Sequence, residues 1–219
     1  MNSAVRDIAE LARAKILSPG REATLREGWS RAALSGRLVE ISNAGSPSAL
    51  TAAFGLVLDA QQQGEPVAWI TFETSCFFPP DAAEGGVDLR SLVVVRAPSS
   101  TRALRAADKL IRSGAFGLVV LDLTSTPALP RSGESWLSRL LGLARKHDTA
   151  VVLLTEKRGD APSLSSLVSL RGEARRFPSP LSSGNAGEGP GVRLRIIKDK
   201  RRAPGWTHAE QCRGPAGLR

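Results

Sequence analysis

The chain has 219 residues, 42% of them hydrophobic and 23% charged, and carries a formal net charge of +9. A chain of this length can bury a full apolar core without staples, and it contains no run near the ~18 uncharged apolar residues of a membrane span. Its two cysteines, Cys76 and Cys212, exclude a disulfide framework and a multi-cysteine zinc site; with Arg6, Asp7, Glu10, Arg13 and Lys15 breaking up any secretory leader, they point to a reducing, cytoplasmic setting.

Residues 3–16 place Val5, Ile8 and Leu11 near helical spacing, which predicts an amphipathic arm cut off by Ser18-Pro19-Gly20. A strand is expected over Arg37–Ser42. Ser48–Gln62 reads as a helix with Leu50, Phe54, Val57 and Leu58 on its apolar side. Val67–Phe72 is a buried strand, Cys76–Asp88 a Pro/Gly-rich excursion and Ser91–Arg96 another strand. Ser99-Ser100-Thr101 offer N-caps for a helix that ends at Gly114, with Leu104, Ala107, Leu110 and Ile111 as its core stripe. Gly117–Leu123 is nearly all apolar, which suits the middle of a parallel sheet. Ser135–Lys146 repeats the helical spacing, and Ala150–Thr155 gives the next strand.

This alternation predicts an α/β fold, a mainly parallel twisted sheet with helices on both faces. After residue 160 the pattern changes. Leu164–Arg176 and Gly191–Lys200 alternate apolar with basic residues, and the economical reading is a C-terminal antiparallel hairpin carrying Arg193, Arg195 and Lys198 on its polar face. Residues 203–219 read as a basic, poorly ordered tail. The expected organisation is therefore a helical arm over 1–30, a core over 31–202 and the tail.

Residues 171–219 contain eleven Arg/Lys and four Asp/Glu, so the basicity belongs to the last quarter. A basic tail fits an anionic partner, or is simply a solvated face. Lys200, Arg201 and Arg202 extend the cationic run to Trp206, which either anchors a partner or folds back on the domain. With only Phe177 and Trp206 as aromatics there, single-stranded DNA binding is expected to be weak and independent of sequence. His147 and His208 form no spaced nucleophile–base pair with Cys76, so no unrelated enzyme chemistry is indicated.

In a parallel sheet, ligands bind at the carboxyl ends of strands, often at the loop into the first helix. A working phosphate loop reads G-x-x-x-x-G-K-[ST]. Here Asn43 stands at the first glycine and Ser48 at the second, with Gly45 and Ser46 between them. Ala49 replaces the lysine and Leu50 the metal-binding hydroxyl residue. Asp122 and Glu73 end neighbouring strands where an NTPase places its magnesium-orienting and water-polarising carboxylates. The pattern is that of a former nucleotide site, with no ATP hydrolysis, no cofactor and no metal expected.

These segments resemble the RecA family. Gly36–Ile41 is similar to the strand entering the RecA phosphate loop. Val87–Val94 and Ala103–Asp122 resemble its next strand, helix and magnesium-aspartate strand, and Val192–Pro204 resembles its final core strand with the K-x-K lysines Lys198 and Lys200. The resemblance spans roughly residues 30–204 and implies a RecA-like core in which those lysines reach a neighbouring subunit's ATP. The stretch after Thr155 looks instead like that of the ImuA family, short RecA-like accessory proteins of SOS mutagenesis. That likeness implies a non-catalytic adaptor in translesion synthesis. Its partners would be RecA, an ImuB-type polymerase-like protein and the associated error-prone polymerase, in the cytoplasm and at the nucleoid when active. The SulA family of cell-division inhibitors is the second resemblance.

Overall fold

Strand-forming runs of Val, Leu and Ile set the frame of the computed structural model, which describes residues 28–43, 48–75, 77–125, 129–159, 161–177 and 191–211. The arm predicted over 3–16 lies outside the described residues. In chain order the elements are α1 (Arg31–Leu34), β1 (Leu38–Asn43), α2 (Ser48–Gln62), β2 (Val67–Thr71), α3 (Pro79–Glu84), β3 (Leu92–Arg96), α4 (Ser100–Arg112) and β4 (Leu118–Asp122). They continue with α5 (Gly133–Lys146), β5 (Ala150–Glu156), β6 (Leu170–Phe177), β7 (Gly191–Asp199) and β8 (Thr207–Gln211).

One sheet runs in the order β3-β2-β4-β5-β1-β6-β7-β8. Its strands from β3 through β6 pair in parallel, and β7 and β8 are added antiparallel. Every residue of β1, β2 and β4 is buried, as expected of strands covered on both faces. On one face α2 packs over Val39, Ile41, Trp69, Val120 and Val152; on the other, α4 and α5 pack over Leu38, Ile70, Val119, Leu121 and Leu153.

The helices form where capping and periodicity agree. Ser99 caps α4 by accepting from the Arg102 N–H at 3.4 Å, and Gly114 follows the helix at φ +69°, a conformation open to glycine. Ala103, Leu104, Ala107 and Ile111 are buried, while Leu110 sits at the margin of the predicted stripe. The apolar side of α2 differs from expectation. Its buried residues are mainly Ala49, Ala52, Ala53, Leu56, Val57 and Ala60, with Leu50 and Phe54 only partly covered. Small side chains let the helix lie close to the sheet, and Phe54 moves aside to stack on Trp69 at 4.7 Å.

The C-terminal region corrects two expectations. The strand predicted from Leu164 begins at Leu170, and it belongs to the parallel sheet as well as to the hairpin. The segment predicted to be a poorly ordered tail contains β8, which pairs with β7 from Gly191↔Gln211 to Arg195↔Thr207. The reason is a short T-H-A-E pattern whose alternate residues, His208 and Glu210, stand opposite apolar Leu194 and Val192.

Candidate functional site

The carboxyl ends of β1, β2 and β4 gather the predicted nucleotide-site residues. Gly45 and Ser46 lie outside the described residues. Asn43 ends β1; its carbonyl accepts the Lys157 N–H at 3.0 Å, and its buried Oδ1 has no hydrogen-bond partner among the described residues. Ser48 and Ala49 open α2 and are fully buried, and the Ala49 methyl belongs to the core beneath the sheet. Leu50 packs against the same core. The first turn of α2 therefore presents apolar groups to the core at Ala49 and Leu50.

Asp122 is fully buried at the end of β4. Its Oδ2 accepts from Ser75 Oγ at 2.7 Å and Thr71 Oγ1 at 3.4 Å. Its Oδ1 accepts from Thr124 Oγ1 at 2.6 Å and the Thr124 N–H at 3.1 Å. Four protein donors thus occupy the two oxygens. Glu73 lies on the turn after β2, exposed, and its carboxylate has no partner among the described residues. The structure therefore brings both carboxylates to one end of the sheet but embeds only Asp122.

The K-x-K lysines sit elsewhere. Lys200 Nζ donates to the Ser166 carbonyl at 2.7 Å and Lys198 Nζ to the same oxygen at 3.5 Å. Ser166 lies in the strap that carries the chain back from β5 to β6 without a helix. Glu40, fully buried on β1, anchors the same strap. It pairs with Lys157 Nζ at 2.5 Å and accepts from Thr155 Oγ1 and the Leu164 N–H, each at 2.9 Å. Arg171 on β6 donates to the Arg158 carbonyl at 2.8 Å and to the carbonyl of Ala161. Burial first, and then the neighbouring Lys200 and Arg171, hold the Lys198 ammonium below its usual pKa, against the pull of Glu40. Both lysines are engaged within their own chain.

Arg193 and Arg195 point outward from β7. Arg193 stands opposite Arg175 of β6, its guanidinium 5.3 Å from the Phe177 ring. Arg195 lies 3.8 Å from Glu173, whose Oε2 is also held by Arg175 at 2.9 Å; the buried Glu173 Oε1 has no partner among the described residues. Arg201 and Arg202 are exposed. Trp206 is folded back rather than free: it packs against the core and its Nε1 donates to Asp199 at 3.4 Å.

Residues 28–135 match the RecA N-terminal domain family. The chain is a RecA-like protein, homologous to RecA. It is 31% identical to protein RecA of Bifidobacterium breve over 204 residues, covering 80% of this chain and 51% of the relative. Against protein RecA of Rubrobacter xylanophilus it is 32% identical over 196 residues, 75% of this chain and 56% of the relative. Against that of Thermus thermophilus it is 26% identical over 204 residues, 80% and 59% respectively. The chain spans about half the length of the curated relatives it matches.

The matched family segment of this RecA-like chain includes Asn43, Ala49, Glu73 and Asp122 and stops before the K-x-K strand. Sequence reading missed the hydroxyl ring of Thr71, Ser75 and Thr124 around Asp122, although a Ser or Thr at two neighbouring strand ends was a usable signal. It also missed Glu40 and Arg171, polar residues inside apolar strands, which mark the face that the strap covers. Among the described residues no group of three or more His, Cys, Asp or Glu could hold a metal ion, and no helix is long and apolar enough to cross a membrane.

Proposed function

We propose that this RecA-like chain is a non-catalytic adaptor of SOS-induced mutagenesis and translesion synthesis. It docks on RecA or on an ImuB-type polymerase-like protein and modulates RecA activity without turning over ATP itself. One observation carries the reading: the buried Ala49 methyl stands where a phosphate-binding lysine belongs. Phosphoryl transfer depends on positioning and on neutralising charge, and neither Ala49 nor Leu50 can do the second. Asp122, with both oxygens engaged by protein donors, is poorly placed to orient a hydrated magnesium ion. The residues present therefore do not fit a magnesium nucleotide, and no step is derived through one.

Docking needs a surface, and the edge of the sheet supplies one. Among the described residues β3 has β2 on one side and no strand on the other, and Val93 (44% exposed) and Val94 (37%) lie along it. An exposed edge strand rich in valine is a template for another chain. The test is to titrate the full chain onto RecA filaments on single-stranded DNA, reading binding and RecA ATP turnover together. Saturable binding with altered RecA turnover is expected, and Val94→Lys should weaken binding about tenfold. Hydrolysis of ATP by the chain alone, abolished by Asp122→Asn, would overturn the non-catalytic reading. No binding to RecA would move the proposal to the polymerase-like partner.

A second reading is favoured by Arg175 facing Arg193 across the hairpin with Arg195 beside them. Like charges placed opposite are unfavourable in a sheet, and a bound phosphate chain would relieve them. Six engaged cations on single-stranded DNA give a slope of roughly −4 in log K against log salt; a flat salt response would exclude this contact.

A further inference from the structure

We propose that the outer face of α4 and α5 docks an acidic protein segment that also carries leucine or similar apolar side chains. The two helices together hold Arg102, Arg105, Lys109, Arg112, Arg139, Arg145 and Lys146, all exposed, against the acids Asp108 and Glu134. Asp108 is buried and already held by Arg139 Nε at 2.5 Å and Arg112 Nη2 at 3.3 Å. The face is therefore cationic although the first 170 residues as a whole are close to neutral.

Helix-end electrostatics and the Asp108 pairs account for the cations at the carboxyl ends of α4 and α5 and for Arg139, but not for Arg102 and Arg105. Arg102 sits in the first turn of α4, where the helix dipole disfavours a cation. Arg105 follows at i+3 and Lys109 at i+4 from it, spacings at which like charges repel. The side chains of Arg102 and Arg105 have no partner among the described residues. From Arg102 to Arg112 the stripe extends about 15 Å along the helix.

Apolar neighbours select the kind of partner. Trp136 and Leu143 of α5 are partly buried beside these cations, and the Arg139 guanidinium lies 5.8 Å from the Trp136 ring. A phosphate backbone would leave Trp136 and Leu143 uncovered, and stacking of a base on Trp136 competes with Arg139. An acidic segment with apolar side chains satisfies both parts, its carboxylates matching the guanidinium forks. The chain itself does not supply such a segment. Residues 1–27 carry five basic and four acidic groups, 178–190 a single acid, and 212–219 only bases. A second copy, at +9, is repelled. This assignment is independent of the adaptor reading and of the nucleotide-site end of the sheet.

The test uses the full chain and fluorescence anisotropy. The probes are a labelled amphipathic peptide with Glu on one helical face and Leu on the other, an all-Glu peptide of equal charge, and single-stranded and duplex DNA oligonucleotides. The leucine-bearing peptide should bind best. Arg102→Glu/Arg105→Glu should weaken it at least about tenfold with an unchanged thermal melt, and Arg102→Gln/Arg105→Gln should fall between. No binding of that peptide, binding equal to the all-Glu peptide, or binding untouched by either variant would overturn the proposal. DNA binding that exceeds peptide binding and is lost in the same variants would assign the face to phosphates instead, and would equally overturn it.

Discussion

Two halves of the one sheet are held by different forces. From β2 to β1 the strands are buried on both faces and sealed by α2 on one side and α4 with α5 on the other, with β3 as the half-open edge. From β6 to β8 only one face is apolar, through Leu170, Ala174, Val192, Leu194 and Ile196. The opposite face carries Arg171, Glu173, Arg175, Arg193 and Arg195. The cause is the connection: β5 reaches β6 through a strap rather than a helix, so that face is closed by buried charges and backbone carbonyls. The parallel half is held by non-directional burial, the antiparallel half by groups that must keep their partners.

The largest test of that contrast is Arg37→Met. Arg37 precedes β1, and its Nη2 reaches Asp199 at the end of β7 at 2.6 Å and the Ser169 carbonyl at 3.0 Å. Asp199 is 1% exposed at its side chain. Removing one partner of a buried pair leaves a charge uncompensated and costs about 3 kcal/mol. The double variant Arg37→Met/Asp199→Asn removes that charge and should cost less than the single one. Denaturant unfolding checks both, and equal loss in the two would mean that packing, not charge, joins the halves.

A smaller effect should appear on acidification. Burial raises the pKa of Asp199, but the Arg201 N–H, the Arg37 guanidinium and the Trp206 N–H together bring it below the usual carboxylate value. The folded-state value is thus below the unfolded value of about 3.9. The stability it contributes is complete above about pH 4 and is lost as pH falls through the folded-state pKa. Asp108, where burial is likewise outweighed by Arg139 and Arg112, acts in the same direction. Melting temperature should fall below pH 4, and less steeply in Asp199→Asn. An identical acid slope in that variant would place the sensitivity elsewhere.

Legibility in the sequence follows the same division. The strands β1, β2, β4 and β5 and the helices α4 and α5 were readable because their apolar residues recur at periods set by geometry alone. The start of β6 was misplaced because Leu164 and Leu167 pack on the second core from within the strap, imitating a strand. β8 was invisible because T-H-A-E has one small residue and no β-branched run; its strand character comes from β7 beside it. At the carboxyl ends of β1, β2 and β4, motif and strand-end position lead to Asn43, Ala49, Glu73 and Asp122. That Asp122 is enclosed by three hydroxyls depends on Ser75, five residues beyond β2's Ile70, and a turn of that kind has no period to read. A register shift between Arg171 and Gly172 sets Lys198 opposite Arg171, a placement no simple period of two foretells, while Lys200 stays exposed beside the strap.

The smallest effect probes how β8 is seated. The Glu210 carboxylate lies where a Cβ on Gly55 of α2 would stand, and it accepts from His208 Nε2 at 3.0 Å. Mid-helix Gly→Ala ordinarily stabilises by about 1 kcal/mol. Here the new methyl must push Glu210 aside and disturb its pairing with His208, a hydrogen bond worth about 1 kcal/mol. Gly55→Ala should therefore be close to neutral in the otherwise unchanged chain. In a Glu210→Ala background the obstacle is gone, and the same substitution should recover roughly its full helical gain, about 1 kcal/mol. The coupling between the two positions is the quantity to measure, by a double-mutant cycle of unfolding free energies. If Gly55→Ala stabilises equally in both backgrounds, Glu210 does not rest on α2, and β8 is held by its ladder to β7 and by the His208 ring against Trp29.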